Sequence, residues 1–297
     1  MSASGHAVVP PSARPLPRWR ADFLWLRTIV ESAAHRLLKR RERHGDQVAS
    51  DYDGGEWAQQ KAARHWTVAP SVADYADKSW VRRDIVAEMD SQLWSVPAPD
   101  YYAYRRAQLI GILSEFDLGA DSLIELGSGT GSNLFALSTA QRWAHLLGLE
   151  LSTTGREVAR TVAERYGLAN EIHFDHIDLL DPASPGFEKV RGAVCFTHYC
   201  LEQLPSHTEQ VFRNLLQAGV RRTVMIEPTF ELLGWSLKDA ASRAYVLRQD
   251  YQRSIVQVAN KLQDEGLLRI VALRRLGFVS SWRNPPTLLV WEPATAA

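Results

Sequence analysis

The run CFTHYCLEQLP at 195–205 sets an imidazole, a phenol and a carboxylate, His198, Tyr199 and Glu202, directly behind a string of apolar residues. Such a set could move a proton. It could equally be the punctuation between a buried strand and the next helix. A second stretch, IELGSGTGSN at 124–133, carries Gly127, Gly129 and Gly131 at alternate positions behind Glu125. Glycines at a strand end let the backbone turn sharply and approach a ligand without Cβ interference. The dinucleotide pattern G-x-G-x-x-G would need glycine at Ser132, and the Walker pattern would need a Gly-Lys-Ser/Thr that is absent. Acids end two further apolar runs: Glu150 after LLGL, and Asp178 in FDHIDLL. A carboxylate at Glu150 can accept both hydroxyls of a ribose.

Apolar runs alternating with helical segments must position these groups. DSLIELGSG, AHLLGLELS, NEIHFDHID, GAVCFTHY and RRTVMIEP read as five strands, separated by helical stretches at 133–142, 155–167 and 207–218. Alternation of this kind predicts a parallel sheet covered on both faces. LLRIVALRRLG and PTLLVWEP, with no helix between them, predict an antiparallel closing hairpin. Ser206 and Glu209 fit a capping box for the helix that follows.

Together these motifs resemble those of the class I S-adenosylmethionine-dependent methyltransferases, over roughly 101–297. The resemblance implies a doubly wound α/β fold with a mostly parallel seven-stranded sheet and an antiparallel last strand. It implies S-adenosylmethionine as cofactor and S-adenosylhomocysteine as product. In that family the glycine loop Gly127, Gly129 and Gly131 and the acid Glu125 face the cofactor's amino-acid end. Glu150 binds the ribose and Asp178 the adenine amino group, with Leu151 and Leu179 sandwiching the purine and the Thr197 backbone nearby. The helix before the first strand supplies Tyr104 and Arg105 toward the cofactor carboxylate. The segment LEQLP takes the place of the family's L-E-H-L-P, which leaves Glu202 and Gln203 structural or peripheral. His198 and Tyr199 remain as catalytic candidates, with His198 as a general base. Glu227, Glu231 and Trp235, after the fifth strand, are candidates for binding the acceptor.

The rest of the chain sets bounds. Residues 1–20, rich in proline, read as a disordered tail, and 21–100 as a helical appendage. Phe23, Leu26, Val30, Ala33 and Leu37 recur at helical spacing, and the helix ends in the basic KRRERHG at 39–45. Trp19, Trp25, Trp57, Trp66, Trp80 and Trp94 concentrate there among charges, which suits a surface that covers a substrate. A further insertion at 229–268 is expected to complete this cover. Lys+Arg and Asp+Glu both number 34, so no global charge draws the chain to nucleic acid or anionic lipid. NPP at 284–286 lies between the last two strands, away from where a base-flipping motif belongs. Two cysteines, Cys195 and Cys200, make neither a disulfide framework nor a zinc site, and no other metal is expected. The expectation is a cytoplasmic methyltransferase acting on oxygen or nitrogen of a bulky natural-product-like molecule or a peptide. Neither membrane nor nucleic acid is expected as a partner. A non-catalytic protein of the same fold is the alternative from another class, and a nicotinamide dehydrogenase is disfavoured by Ser132.

Overall fold

A computed structural model describes residues 9–38, 53, 55, 57–279 and 281–294. The basic run 39–45 and the first eight residues of the expected tail lie outside them. The larger sheet has seven strands in the order β6-β5-β4-β7-β8-β11-β9. Its strands are β4 (Ser122–Leu126), β5 (His145–Glu150), β6 (Ile172–His176), β7 (Val194–His198), β8 (Arg222–Pro228), β9 (Leu268–Arg275) and β11 (Pro286–Pro293). β4 pairs in parallel with β5 and β7, and β11 runs antiparallel to both β8 and β9. The expected closing hairpin is thus also an insertion, with the last strand slotted between its two neighbours.

Helices cover both faces. Ser132–Ser138 (α5) and Thr153–Arg165 (α6) follow β4 and β5, and Thr208–Ala218 (α8) and Ile255–Asp264 (α10) flank the other half of the sheet. Leu134, Phe135, Val158 and Val162 bury one face with Leu123, Phe196 and Val290, while Phe212, Leu215, Ala259 and Trp291 bury the other. Burying one Leu, Val or Phe side chain contributes roughly 1.5–3 kcal/mol. α8 is not opened by the expected capping box: its N-cap is His207 without a side-chain cap, and Glu209 instead pairs with Arg213 and Lys261.

The appendage is not purely helical. It holds α1 (Arg18–Leu38), α2 (Trp57–Ala63) and α3 (Val72–Ala76), but also a hairpin of β2 (Asp84–Met89) and β3 (Gln92–Pro97). β1 (Arg14–Pro15), within the expected tail, pairs with β3, and β10 (Phe278–Val279) pairs with β2, giving a second, four-stranded sheet. The hairpin lacks a Gly-containing turn. Asp90 and Ser91 both adopt positive φ (48° and 66°), and the Asp90 N–H donates to the Gly277 carbonyl at 2.8 Å. Tertiary contact, not local turn chemistry, holds this bend. The long helix α4 (Ala98–Phe116) then leads into β4.

α1 packs on α9 (Leu237–Gln249), and Trp25 meets Trp282 edge-on at 4.8 Å. Its buried face is Ala21, Trp25, Thr28 and Ser32, whereas Phe23, Leu26 and Val30, whose spacing marked the helix, face outward with Trp19. The expected insertion 229–268 divides: α9 packs on α1 and lines none of the cavity described below, whereas α10 packs on α8 and β9 as part of the core. Among the described residues no helix is long and apolar enough to cross a membrane.

The second sheet is tied to α9 by one buried ion pair, Glu88 with Lys238. Burial raises the Glu88 carboxyl pKa, and Lys238 opposes that shift. Removing one member of such a pair strands the other charge. Glu88→Ala is expected to lower stability in urea denaturation by about 3 kcal/mol, and Glu88→Gln by less, because an amide still accepts the ammonium's hydrogen bond.

Candidate functional site

A cavity of about 720 Å³ opens at the C-terminal edge of β4, β5 and β7. That edge is where open α/β sheets bind ligands. Gly127, Gly129, Glu125, Glu150, Leu151, Asp178, Leu179, Arg105, His198 and Tyr199 all line it, as the sequence led us to expect. The glycine loop is fixed by close approach. A Cβ on Gly127 would collide with the Cys200 thiol, and one on Gly129 would meet the Trp57 ring at 2.9 Å; both glycines have positive φ, 72° and 55°. Gly131 does not line the cavity; with φ 78° it turns the chain into α5, against the Phe174 ring.

Glu150 ends β5 with both oxygens engaged: Oε2 accepts from the Gly129 N–H at 2.7 Å and Oε1 from the Ser152 N–H at 2.8 Å. Burial raises its pKa and these two donors offset part of that. Each oxygen keeps a lone pair for a further donor. Asp178 Oδ1 accepts from the Leu180 N–H at 2.9 Å, which turns the carboxylate back into the cavity wall.

Glu125 is 1% exposed, and its pKa is pushed up to about 8 by burial, against the Asn133 hydrogen bond and the Arg105 charge. Asn133 Nδ2 donates to Glu125 Oε1 at 2.6 Å, and Oε2 has no hydrogen-bond partner. Asn133 Oδ1 in turn accepts from Arg105 Nη2 at 3.0 Å. The same guanidinium nitrogen lies 3.3 Å from His198 Nδ1. Burial, then the Arg105 charge, hold the His198 pKa well below the ordinary imidazole value, opposed in part by its own carbonyl. Tyr199 sits in the left-handed region at φ 57°, its N–H donating to the Ile226 carbonyl and its hydroxyl to the Asn284 carbonyl at 2.9 Å.

Several expected residues lie elsewhere. Tyr104 does not line the cavity but packs on the hairpin residues Ala87, Met89 and Val96; Tyr101 and Tyr102 take its place at the wall. Thr197 is fully buried in β7, directly before the cavity-lining His198, and does not itself line this cavity. Glu227 is buried behind the site and accepts from the Cys200 N–H at 2.9 Å, so it shapes the turn after β7. Burial pushes its pKa up to about 7, and that N–H opposes the shift. Glu231 caps α10 by accepting from the Val256 and Gln257 N–H groups. Trp235 is 93% exposed on the surface, under the Arg243 guanidinium. Glu202 lines the cavity with Gln203, its carboxylate accepting from Asn284 and Gln203 side chains.

The appendage supplies residues that carried no motif. Trp57 and Gln60 line the cavity from α2, and Lys78 from the turn after α3. Gln60 accepts from the Thr130 hydroxyl at 3.0 Å, Lys61 pairs with Glu157 at 2.7 Å, and Asp53 accepts from the Ser152 hydroxyl and the Thr154 N–H. Only the concentration of tryptophans hinted at this contact.

No family model and no curated protein matches the sequence. Solved structures do match. The pyocyanin biosynthetic protein PhzM is 17% identical over 66% of this chain and 57% of its own, with a TM-score of 0.50. The geranyl diphosphate C-methyltransferase from Streptomyces coelicolor A3(2), solved with Mg2+, geranyl-S-thiolodiphosphate and S-adenosyl-L-homocysteine, is 12% identical over 80% and 98% of the two chains, also at 0.50. This chain has the class I methyltransferase fold. It spans little more than half the length of PhzM. The methyltransferase fold accounts for the sheet order and for the cavity's place at the strand ends.

Glu125 links pH to stability. Its folded pKa of about 8 exceeds the unfolded value of 4.5, so the folded state binds the extra proton. Its contribution is fully present below pH 4.5 and is lost as pH rises through 8, by on the order of 4 kcal/mol. Glu125→Gln is expected to flatten this part of the stability profile measured by urea denaturation between pH 5 and 8.5.

Proposed function

We propose that this chain is an S-adenosylmethionine-dependent methyltransferase that methylates oxygen or nitrogen of a small molecule. The observation that carries the reading is one cavity holding the glycine loop, the doubly donated Glu150 carboxylate and the orphaned Glu125 oxygen together. These residues fit the cofactor's two ends. Glu125 Oε2 is a buried acceptor without a donor, suited to an ammonium, and Glu150 can take a ribose diol while Leu151 and Leu179 flank a purine. When bound, the cofactor would supply an electrophilic methyl group on a sulfonium. The protein's work is then largely alignment, because oriented reactants can lower a barrier by roughly 7–11 kcal/mol.

The cavity of about 720 Å³ has to hold both cofactor and acceptor. Sites for single small ligands span roughly 300–1,000 Å³, which favours a compact acceptor over a peptide. Trp57, lying over Gly129, is proposed to cover the cofactor from the appendage side. Both cysteines are free thiols, in keeping with a reducing cytoplasmic setting.

Calorimetry with S-adenosylhomocysteine tests the reading directly; absence of binding would sink it. Glu150→Ala is expected to weaken binding at least thirtyfold. An ammonium placed at Glu125 favours the carboxylate, so binding at pH 7 should expel the proton that burial retains. Titrations in buffers of different ionisation enthalpy should show this release, and Glu125→Gln should abolish it. Trp57→Ala should speed dissociation of the product severalfold in stopped-flow fluorescence while leaving the urea midpoint nearly unchanged.

A further inference from the structure

Among the described residues, the side chains around His198 hold donors and cations and no uncommitted base apart from the Glu125 oxygen assigned to the cofactor. Arginine has five N–H donors and no acceptor, so the Arg105 N–H directed at His198 Nδ1 favours that nitrogen as the acceptor and the ring hydrogen on Nε2, while the ring's own carbonyl pulls the other way. An imidazole in this tautomer offers a donor, not a lone pair, at its other nitrogen. The neighbouring groups are equally committed. The Tyr199 hydroxyl donates to the Asn284 carbonyl, and both Glu202 oxygens accept from amide side chains. Burial, with the nearby carboxylates adding to it, raises the Cys200 thiol well above its ordinary range. Asp178 follows β6, three strands from His198 on β7, which is on the order of 14 Å at ordinary strand spacing.

Two cations share this wall. Arg105 lies one turn along α4 from Tyr101 and Tyr102, and all three line the cavity. Lys78 stands over the Tyr102 ring, 4.5 Å from its centroid, and makes no ion pair among the described residues. Its neighbour Asp77 is taken by Arg106 in a two-pronged pair at 2.8 Å, which fixes the turn that presents Lys78. A cation held beside an aromatic ring at a cavity wall, with no carboxylate of its own, complements an anionic group.

Resting on the methyl-transfer reading, we propose that the acceptor is a small apolar or aromatic carboxylic acid, bound as its carboxylate by Lys78 and the Nε2–H of His198 and methylated on oxygen. The acceptor arrives already ionised and needs no base. One carboxylate oxygen forms a bond to the methyl carbon as the carbon–sulfur bond breaks. The electron pair of that bond goes to sulfur. An anion and a sulfonium become a neutral ester and a neutral thioether, and no proton moves. His198 is thereby a catalytic residue as a hydrogen-bond donor, where the sequence suggested a general base.

The test uses the full chain saturated with S-adenosylhomocysteine, after calorimetry has shown that it binds. Failure of that binding sinks the methyl-transfer reading, whereas the outcomes below bear on the acceptor alone. Benzoate, cinnamate and octanoate are titrated against their amides. At least a tenfold preference for one acid over its amide is expected, lost in Lys78→Met and kept in Lys78→Arg. Equal affinity of each pair, or binding of neither member, overturns the proposal. Nitrogen NMR of the His198 ring, assigned with His198→Gln, should show the hydrogen on Nε2 from pH 6 to 9; a hydrogen on Nδ1 overturns it independently. With S-adenosylmethionine carrying a labelled methyl group, the acid should yield a product that releases methanol in mild alkali. An alkali-stable methyl on a phenol or amine would refute the carboxylate assignment while leaving methyl transfer intact.

Discussion

The guanidinium of Arg105 sets the direction of the hydrogen bonds that link Asn133, Glu125 and His198. It can only donate, so Asn133 must turn its carbonyl toward Arg105 and its amide toward Glu125, and His198 is favoured to accept at Nδ1. One side chain on α4 thus sets the state of groups on β4, α5 and β7. The same cation sits near the buried Glu125 carboxyl without making an ion pair with it, and burial outweighs its attraction. Burial thus leaves Glu125 holding a proton at neutral pH, the reverse of what a solvated carboxyl does.

Burial makes this polarity possible, and the appendage provides much of the burial. α2 lies across the glycine loop through Trp57, Gln60 and Lys61, and Asp53 reaches the start of α6. The core domain therefore does not complete its own cavity. Trp57, Gln60, Lys78, Tyr101, Tyr102 and Arg105 furnish one wall, and the turns after β4, β5, β6 and β7 furnish the other.

All seven strands of the large sheet were legible, because each is an apolar run bounded by turn residues, the first five separated by helices and the last two paired as a hairpin. The glycine loop, Glu150 and Asp178 were legible for a related reason: backbone contact and charge at strand ends constrain residue type at fixed positions. Residues acting across the tertiary structure were not. Beyond the concentration of tryptophans, nothing near Trp57 or Lys78 in sequence marks the cavity they line, and Asn133 stood in the glycine stretch without a role of its own. The β2–β3 hairpin escaped because Asp90-Ser91 lacks the glycine that such turns favour and is held by Gly277 instead. Glu227, Glu231 and Trp235 were misread because adjacency to a strand end was taken for direction. Glu227 points behind the strand, Glu231 caps a helix and Trp235 faces out.

The pairing of β10 with β2 reaches further than its two residues suggest. The small sheet begins at residue 14 and is finished only by residues 278–279, so the chain through residue 279 must emerge from the ribosome before that sheet can close. Contacts of such long sequence separation form late. A nascent chain can lay down β4 to β8 and dock α2 and α3 on α6 and α5 while the small sheet still lacks its last strand. The cover is therefore not a detachable module that could be exchanged by joining another sequence at residue 98. Any graft would need the β9–β11 connection as well, so the segments around residues 14–15 and 278–279 are constrained to change together.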